Sequence, residues 1–294
     1  MNPVLAASFA AAVAAGTAQA PSLSQILDRS PASHWRAIDP ARTLYLDLPA
    51  GRVIIELAPG FAPNPVANIV TLVRQHYFDG LAVVREQEDY VAQWADPDGK
   101  RDFGTAKRAL KAEFDRPYTR ALPFTSLPDP DTYAPHVGFT DGFPVARDPA
   151  SQRTWLVHCY GMVGAGRDVG ADSGSGAELY AVIGQAPRQL DRNITLVGRV
   201  LSGMESLSSL PRGTGELGFY KTPAERTPVL AVRLAADLPS AQRTPLEALR
   251  TDSATFATLV HNRRFRQDVW YKRPAGHIDV CNMPLPVRIA RPKA

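Results

Sequence analysis

Val83-Val84-Arg85-Glu86-Gln87-Glu88-Asp89-Tyr90-Val91-Ala92-Gln93-Trp94 decides how this chain is read. The stretch predicts two short strands around an acidic turn at Glu88-Asp89. Successive side chains of a strand alternate between faces, which places Val91 and Gln93 together. With Arg85 returning to that face beside Tyr90, the pair offers a cation, a ring, an apolar residue and an amide. Such a set outlines a shallow groove for a peptide.

Upstream, Leu44, Leu46 and Leu48 alternate with Tyr45 and Asp47, Pro49-Ala50-Gly51 turns, and Arg52 to Leu57 returns, which predicts a hairpin. Pro63-Asn64-Pro65 then opens a helix through about His76, with Val66, Ile69, Val70 and Val73 on one face. Downstream, Pro97 to Ser151 carries many prolines and few periodic runs. Trp155 to Met162 is strand-like, a glycine-rich loop follows from Gly164 to Gly176, and Ala177 to Ile183 is another strand. Thr195 to Val200 leads into a helix from Met204 to about Leu210, and Pro228 to Leu234 closes as a strand. Before all this, residues 21–41 hold a short helix, Ser22 to Arg29, with Pro31 and Pro40 as breaks. After it, residues 239–294 predict helices at Pro245 to Leu249 and Ser253 to Arg264, the second capped by Asp252 or Ser253.

Composition narrows the classes. The 294 residues are 45% hydrophobic and 21% charged, as in an ordinary globular protein. A net charge of +4 with no long Lys/Arg run gives no nucleic-acid footprint; His261-Asn262-Arg263-Arg264 is short and isolated. Val4 to Gly16 is an Ala-rich apolar run ahead of Ala18-Gln19-Ala20, a small-x-small cleavage pattern. Residues 1–20 are therefore expected to be a secretory signal, with export to a periplasm. The run lacks an n-region Lys or Arg, so a mis-assigned start or an Ala-rich leader are the alternatives. It falls short of the ~20 residues that span a bilayer, so no membrane anchor is expected after cleavage. Cys159 and Cys281 can pair in an oxidising compartment, or Cys159 can be an inert buried thiol.

Several chemistries fail on spacing. Gly164-x-Gly166-x-x-x-Gly170 misses the dinucleotide fingerprint by one residue, and no P-loop Lys-Ser/Thr is present. Val157-His158-Cys159 and Asp172-Ser173-Gly174 lie too close together for a trypsin-like His and Ser. Asp168 and Asp172 lack the ligand series of a calcium loop, and the histidines form no metal-spaced pair. No metal or other cofactor is expected.

The spacing Arg85, Tyr90, Gln93, Asp96 resembles the active-site strand pair of the cyclophilins, a family of peptidyl-prolyl cis–trans isomerases. Their pattern is Phe-His-Arg, a Pro-Gly turn, then Phe-Met-x-Gln-Gly-Gly-Asp. Arg85 and Gln93 match it, Tyr90 stands for the phenylalanine, Val91 for the methionine, and Glu88-Asp89 for the turn. Met162-Val163-Gly164-Ala165-Gly166 is similar to a Met-Ala-Asn-Ala-Gly loop, with Gly164 in the asparagine's place. Glu178-Leu179-Tyr180 is similar to Gln-Phe-Phe, and Leu190-Asp191 to Leu-Asp, while Gln189 replaces a tryptophan and Ile194 a histidine.

The resemblance covers roughly residues 42–238. It implies a mainly β fold: a closed antiparallel cyclophilin-like β-barrel capped by helices, with a loop insertion at about 117–150 and a C-terminal helical extension. It implies Arg85 as the catalytic residue. Tyr90, Val91, Gln93, Val163, Gly164, Ala165, Glu178, Tyr180, Leu190 and Ile194 are then the substrate-binding set. The activity implied is prolyl isomerisation of Pro-containing polypeptides in exported proteins. The altered residues Gly164, Glu178 and Ile194 motivate an alternative, a weakly active or inactive module that binds Pro-containing segments or a protein partner. A scaffold working through the insertion and tail is a third reading. Oligomeric state stays open.

Overall fold

The computed structural model describes residues 20–119 and 122–290; the expected signal segment lies outside them except for Ala20. Seven strands carry most of one sheet: β1 (Thr43–Leu48), β2 (Gly51–Leu57), β3 (Ala82–Gln87), β4 (Val91–Ala95), β5 (Met162–Ala165), β6 (Leu179–Val182) and β7 (Leu196–Ser202). Their order across the sheet is β3-β4-β6-β5-β7-β2-β1, and every pairing is antiparallel. One segment closes the ring. Thr227–Pro228 pairs with β3 and Ala231–Leu234 pairs with β1, so the same short stretch joins both edges. Pairing of this kind covers the edges of the barrel sheet, the usual liability of an open sheet.

Alternation sorts the side chains. Leu44, Leu46, Val53, Ile55, Ala92, Trp94, Val163, Ala165, Leu179 and Ala181 meet in one buried cluster inside the barrel. The Pro63–Arg74 helix closes that interior with Val66, Ile69, Leu72 and Val73. Two prolines in its first turn suit it, since those N–H groups have no helical partner in any case.

Outside the barrel, three expectations are corrected. The 117–150 stretch is a folded sheet rather than a surface loop. Five strands lie in the order Arg116–Pro117, Arg153–Leu156, Phe143–Asp148, His136–Thr140, Thr125–Ser126. Its short strands and prolines hide their period, but Val137, Phe139, Ala146 and Trp155 bury one face of it. The supposed strand Trp155 to Met162 is two strands: Arg153–Leu156 belongs to this sheet and β5 to the barrel, with a turn carrying His158 and Cys159 between them.

The C-terminal extension is only partly helical. Ala254–Phe265 is the expected helix, capped by Ser253. Leu246–Leu249, expected as helix, is a strand between Trp35–Ala37 and Val287–Ile289. Four residues are too few for a helical period to declare itself, and pairing with the N-terminal segment decides the outcome. Phe256, Leu259, Val280 and Met283 share the core of the inserted sheet, with Phe256 edge-on to Phe139 at 5.1 Å. Cys159 is not a free thiol: it is bonded to Cys281, 122 residues away. Insertion and extension therefore pack as one layer against the barrel.

Candidate active site

The register of four strands places the site. Arg85 on β3 faces Gln93 on β4, Gln93 faces Tyr180 on β6, and Tyr180 faces Gly164 on β5. These residues form a row across the outer surface of the barrel, because their neighbours Ala92, Leu179, Ala181 and Val163 point inward. A register shift between Val83 and Arg85 allows the arginine to join the row. Val91, Tyr180 and Val182 make a small apolar cluster there, with Tyr90 and Ile194 packed against it.

A cavity of about 90 Å³ opens beside this row. Of the residues expected to bind substrate, Tyr90, Val91, Gln93, Glu178, Tyr180, Leu190 and Ile194 line it together with Arg85. Val163 and Ala165 do not: strand parity sends both side chains into the barrel core. Gly164 has the right parity, but the Tyr180 ring occupies the space a side chain would take, and a Cβ built on Gly164 would collide with it. Gly166 and Arg167 also line the cavity. Gly166 is the last residue of the matched loop, and Arg167 follows it; both come directly after β5.

Arg85 is half-buried and held on several sides. Its Nε donates to the Leu217 carbonyl at 2.7 Å, one Nη donates to Gln93 Oε1 at 3.2 Å, and the other to Gln87 Oε1. The guanidinium carbon lies 5.4 Å from the Tyr90 ring centre and 5.2 Å from that of Phe219. Burial pulls the Arg85 pKa below its ordinary value, opposed by Tyr90 and Glu178. A guanidinium keeps its charge regardless.

Leu217 and Phe219 were missed from sequence. Their loop presents Leu217 at φ +53°, a left-handed conformation that leucine adopts only under constraint. It is laced to β3 by Gly213 N to Glu86 O at 2.9 Å and Tyr220 N to Val84 O at 3.0 Å. The glycines at 213, 215 and 218 were the available clue.

Behind Gln93 sits Glu178, whose carboxylate accepts from Gln93 Nε2. Burial, reinforced by Asp168, raises its pKa above the ordinary glutamate value, against the opposing bond from Gln93 and the charge of Arg85. Asp96, part of the motif spacing, is not among the residues lining the cavity. It accepts from the backbone of Asp98 at 3.1 Å and Arg101 at 2.5 Å, and so shapes the turn after β4.

The arrangement is a fixed cation at the lip of an apolar cup, with an amide and a carboxylate alongside. It can polarise an amide and hold a small ring. Residues 43–233 match the family model described as cyclophilin type peptidyl-prolyl cis-trans isomerase/CLD. A probable peptidyl-prolyl cis-trans isomerase of Brucella suis is 28% identical over 188 residues, covering 64% of this chain and 81% of the relative. A Brucella abortus protein with the same description is 27% identical over the same length. The crystal structure of cyclophilin AquaCyp293 from Hirschia baltica superposes with a TM-score of 0.70 at 26% identity. That match covers 87% of this chain and 94% of the other, so the likeness extends past the barrel into insertion and extension.

Proposed function

Because the chain belongs to the cyclophilin-type peptidyl-prolyl cis–trans isomerase family, we propose that Arg85 is the residue through which it accelerates X-Pro rotation. Isomerase activity follows from that membership, and Pro-containing polypeptides are the substrates. Amide resonance gives peptide rotation a barrier of ~18–20 kcal/mol, and X-Pro bonds turn over in tens to hundreds of seconds unaided. A donor aimed at the prolyl nitrogen favours its pyramidal form over conjugation and lowers the barrier. Three of the five guanidinium N–H groups of Arg85 are engaged by Leu217, Gln93 and Gln87, which leaves two for the peptide. The prolyl ring enters the cup of Tyr90, Val91, Tyr180, Leu190 and Ile194. Gln93 and Glu178 face the adjoining peptide groups. The work is preorganised electrostatics, with no proton passed on.

The observation that carries this reading is the pinned guanidinium on a small cavity of about 90 Å³ that Tyr90, Val91, Tyr180, Leu190 and Ile194 line on its apolar side. A protease-coupled assay on a Xaa-Pro tetrapeptide tests it. Turnover that collapses in Arg85→Ala supports the role of the arginine; turnover that survives the change rejects it. The alternative of a weakly turning binding module is favoured by one feature, the loss of side-chain space at Gly164. It predicts that a folded wild type binds the peptide with little acceleration.

Clients in an exported compartment complete the proposal. The Ala-rich leader supports it, as does the Cys159–Cys281 bond, a linkage that persists in oxidising compartments. Sequencing the N-terminus of the mature protein decides the point: a start at Pro21 is expected, and an intact Met1 in the cell's soluble interior contradicts export.

A further inference from the structure

The mechanism uses neither His158 nor the charged chain behind it. His158 lies in the turn before β5, beside the disulfide-bonded Cys159, and is fully buried. Its Nδ1 is 3.0 Å from Asp191 Oδ1, which also accepts the His158 backbone N–H at 2.9 Å. Its Nε2 is 2.9 Å from the Tyr180 hydroxyl. The two rings lie nearly parallel, 10° apart. A carboxylate only accepts, so Nδ1 carries a proton; in the neutral ring Nε2 then accepts from the Tyr180 hydroxyl. Asp191 is held in turn: its other oxygen accepts Arg188 Nε at 2.7 Å, and the Arg188 fork closes on Asp131 at 2.8 and 2.9 Å. Asp131 belongs to the insertion. One polar line thus runs from the inserted sheet to the ring that floors the cavity.

That ring is constrained a second time by Gly164, the only residue type that leaves room for it in this position. We propose that His158 is a positioning residue for prolyl binding. By accepting the Tyr180 hydroxyl it holds the ring down against Gly164, which fixes the depth of the cavity and keeps its floor apolar. Without His158 the hydroxyl is left buried and unpaired, or it turns toward the cavity and meets the prolyl ring. Either outcome loosens the grip on substrate and leaves Arg85 where it is. The loss therefore falls on KM rather than kcat.

The inference rests on Tyr180 as pocket floor and Arg85 as catalyst, so Arg85→Ala is assayed in the same series of full-length variants. Steady-state kinetics on the Xaa-Pro tetrapeptide, with a melting curve for each variant, provide the test. His158→Ala should raise KM about tenfold with kcat within about twofold of wild type. His158→Gln, whose amide can both donate to Asp191 and accept from Tyr180, should restore most of the loss. Tyr180→Phe should raise KM by a similar factor and make a further His158→Ala change nearly silent. An unchanged KM in folded His158→Ala overturns the inference, as does an undiminished effect in the Tyr180→Phe background. If His158→Ala fails to fold, Tyr180→Phe decides alone: a raised KM supports the tether and a wild-type KM overturns it. Loss of turnover in Arg85→Ala with silent His158 variants removes only this inference, whereas full turnover in Arg85→Ala removes the reading beneath it.

Discussion

The two halves of the site are braced by different parts of the molecule. The Arg85 half, on β3 and β4, is held by the barrel's own loop through the Leu217 carbonyl and the Phe219 ring. The Tyr180 half, on β5 and β6, is held through His158, Asp191 and Arg188, a chain that ends on Asp131 of the insertion. The Cys159–Cys281 bond adds a link to the extension at the same turn. On the proposed function, the first half carries the charge that acts on the prolyl amide and the second shapes the surface that grips. That division would let a family site keep its arginine and rebuild the opposite wall, with added layers of structure holding the new parts.

Breaking the outer brace should give the largest effect on stability. A bond closing a loop of this length contributes about 5 kcal/mol by restricting the unfolded chain, so Cys281→Ser should lower the melting temperature markedly. Its kinetic trace should be a raised KM with kcat less affected; the reverse pattern would break the division between halves. On the catalytic side, Arg85→Ala should lower kcat by about 10²–10³-fold, as for loss of a preorganised donor elsewhere. Arg85→Lys should recover little, since a mobile point charge cannot reproduce a fork pinned by Leu217, Gln93 and Gln87.

Gly164→Ala probes the gripping half. Its Cβ drives the Tyr180 ring upward into the cavity, and overpacking of this kind costs about 1–3 kcal/mol. Here it should appear as a several-fold rise in KM. The smallest effect is expected from Glu178→Gln, read as stability against pH. The folded-state pKa of Glu178 is raised, so the folded state binds its proton more tightly than the unfolded chain does. Stability from this group is present below the ordinary glutamate pKa and is lost as pH rises through the folded value. The glutamine variant should therefore match wild type in acid and melt slightly higher at neutral pH. Equal melting curves across the range would show that Gln93 and Arg85 fully offset the burial.

How far the sequence could be read follows the same division. Arg85, Tyr90, Val91 and Gln93 sit in one hairpin, where period-2 alternation and a short turn determine which side chains share a face. Their grouping was legible for that reason. The β5 residues required parity as well as alignment: a match to a loop named Val163, Gly164 and Ala165 together, whereas a strand separates them onto opposite faces. The inserted sheet escaped because its strands are short and proline-broken, and its core is completed by Phe256 and Val280 more than a hundred residues later. His158, visible only as half of a rejected protease pattern, acquires its role from Asp191 and Tyr180, which are distant in sequence. Contacts set by long-range packing leave no local period to read.

The division between halves is tested most directly by exchange spectroscopy on a Xaa-Pro peptide, which reports cis–trans interconversion and binding in one sample. Wild type should bind and exchange the isomers rapidly. Arg85→Ala should bind within about threefold of wild-type affinity yet show no accelerated exchange, and Gly164→Ala should bind more weakly but exchange normally once saturated. Rapid exchange in Arg85→Ala, or lost exchange in saturated Gly164→Ala, would contradict the account.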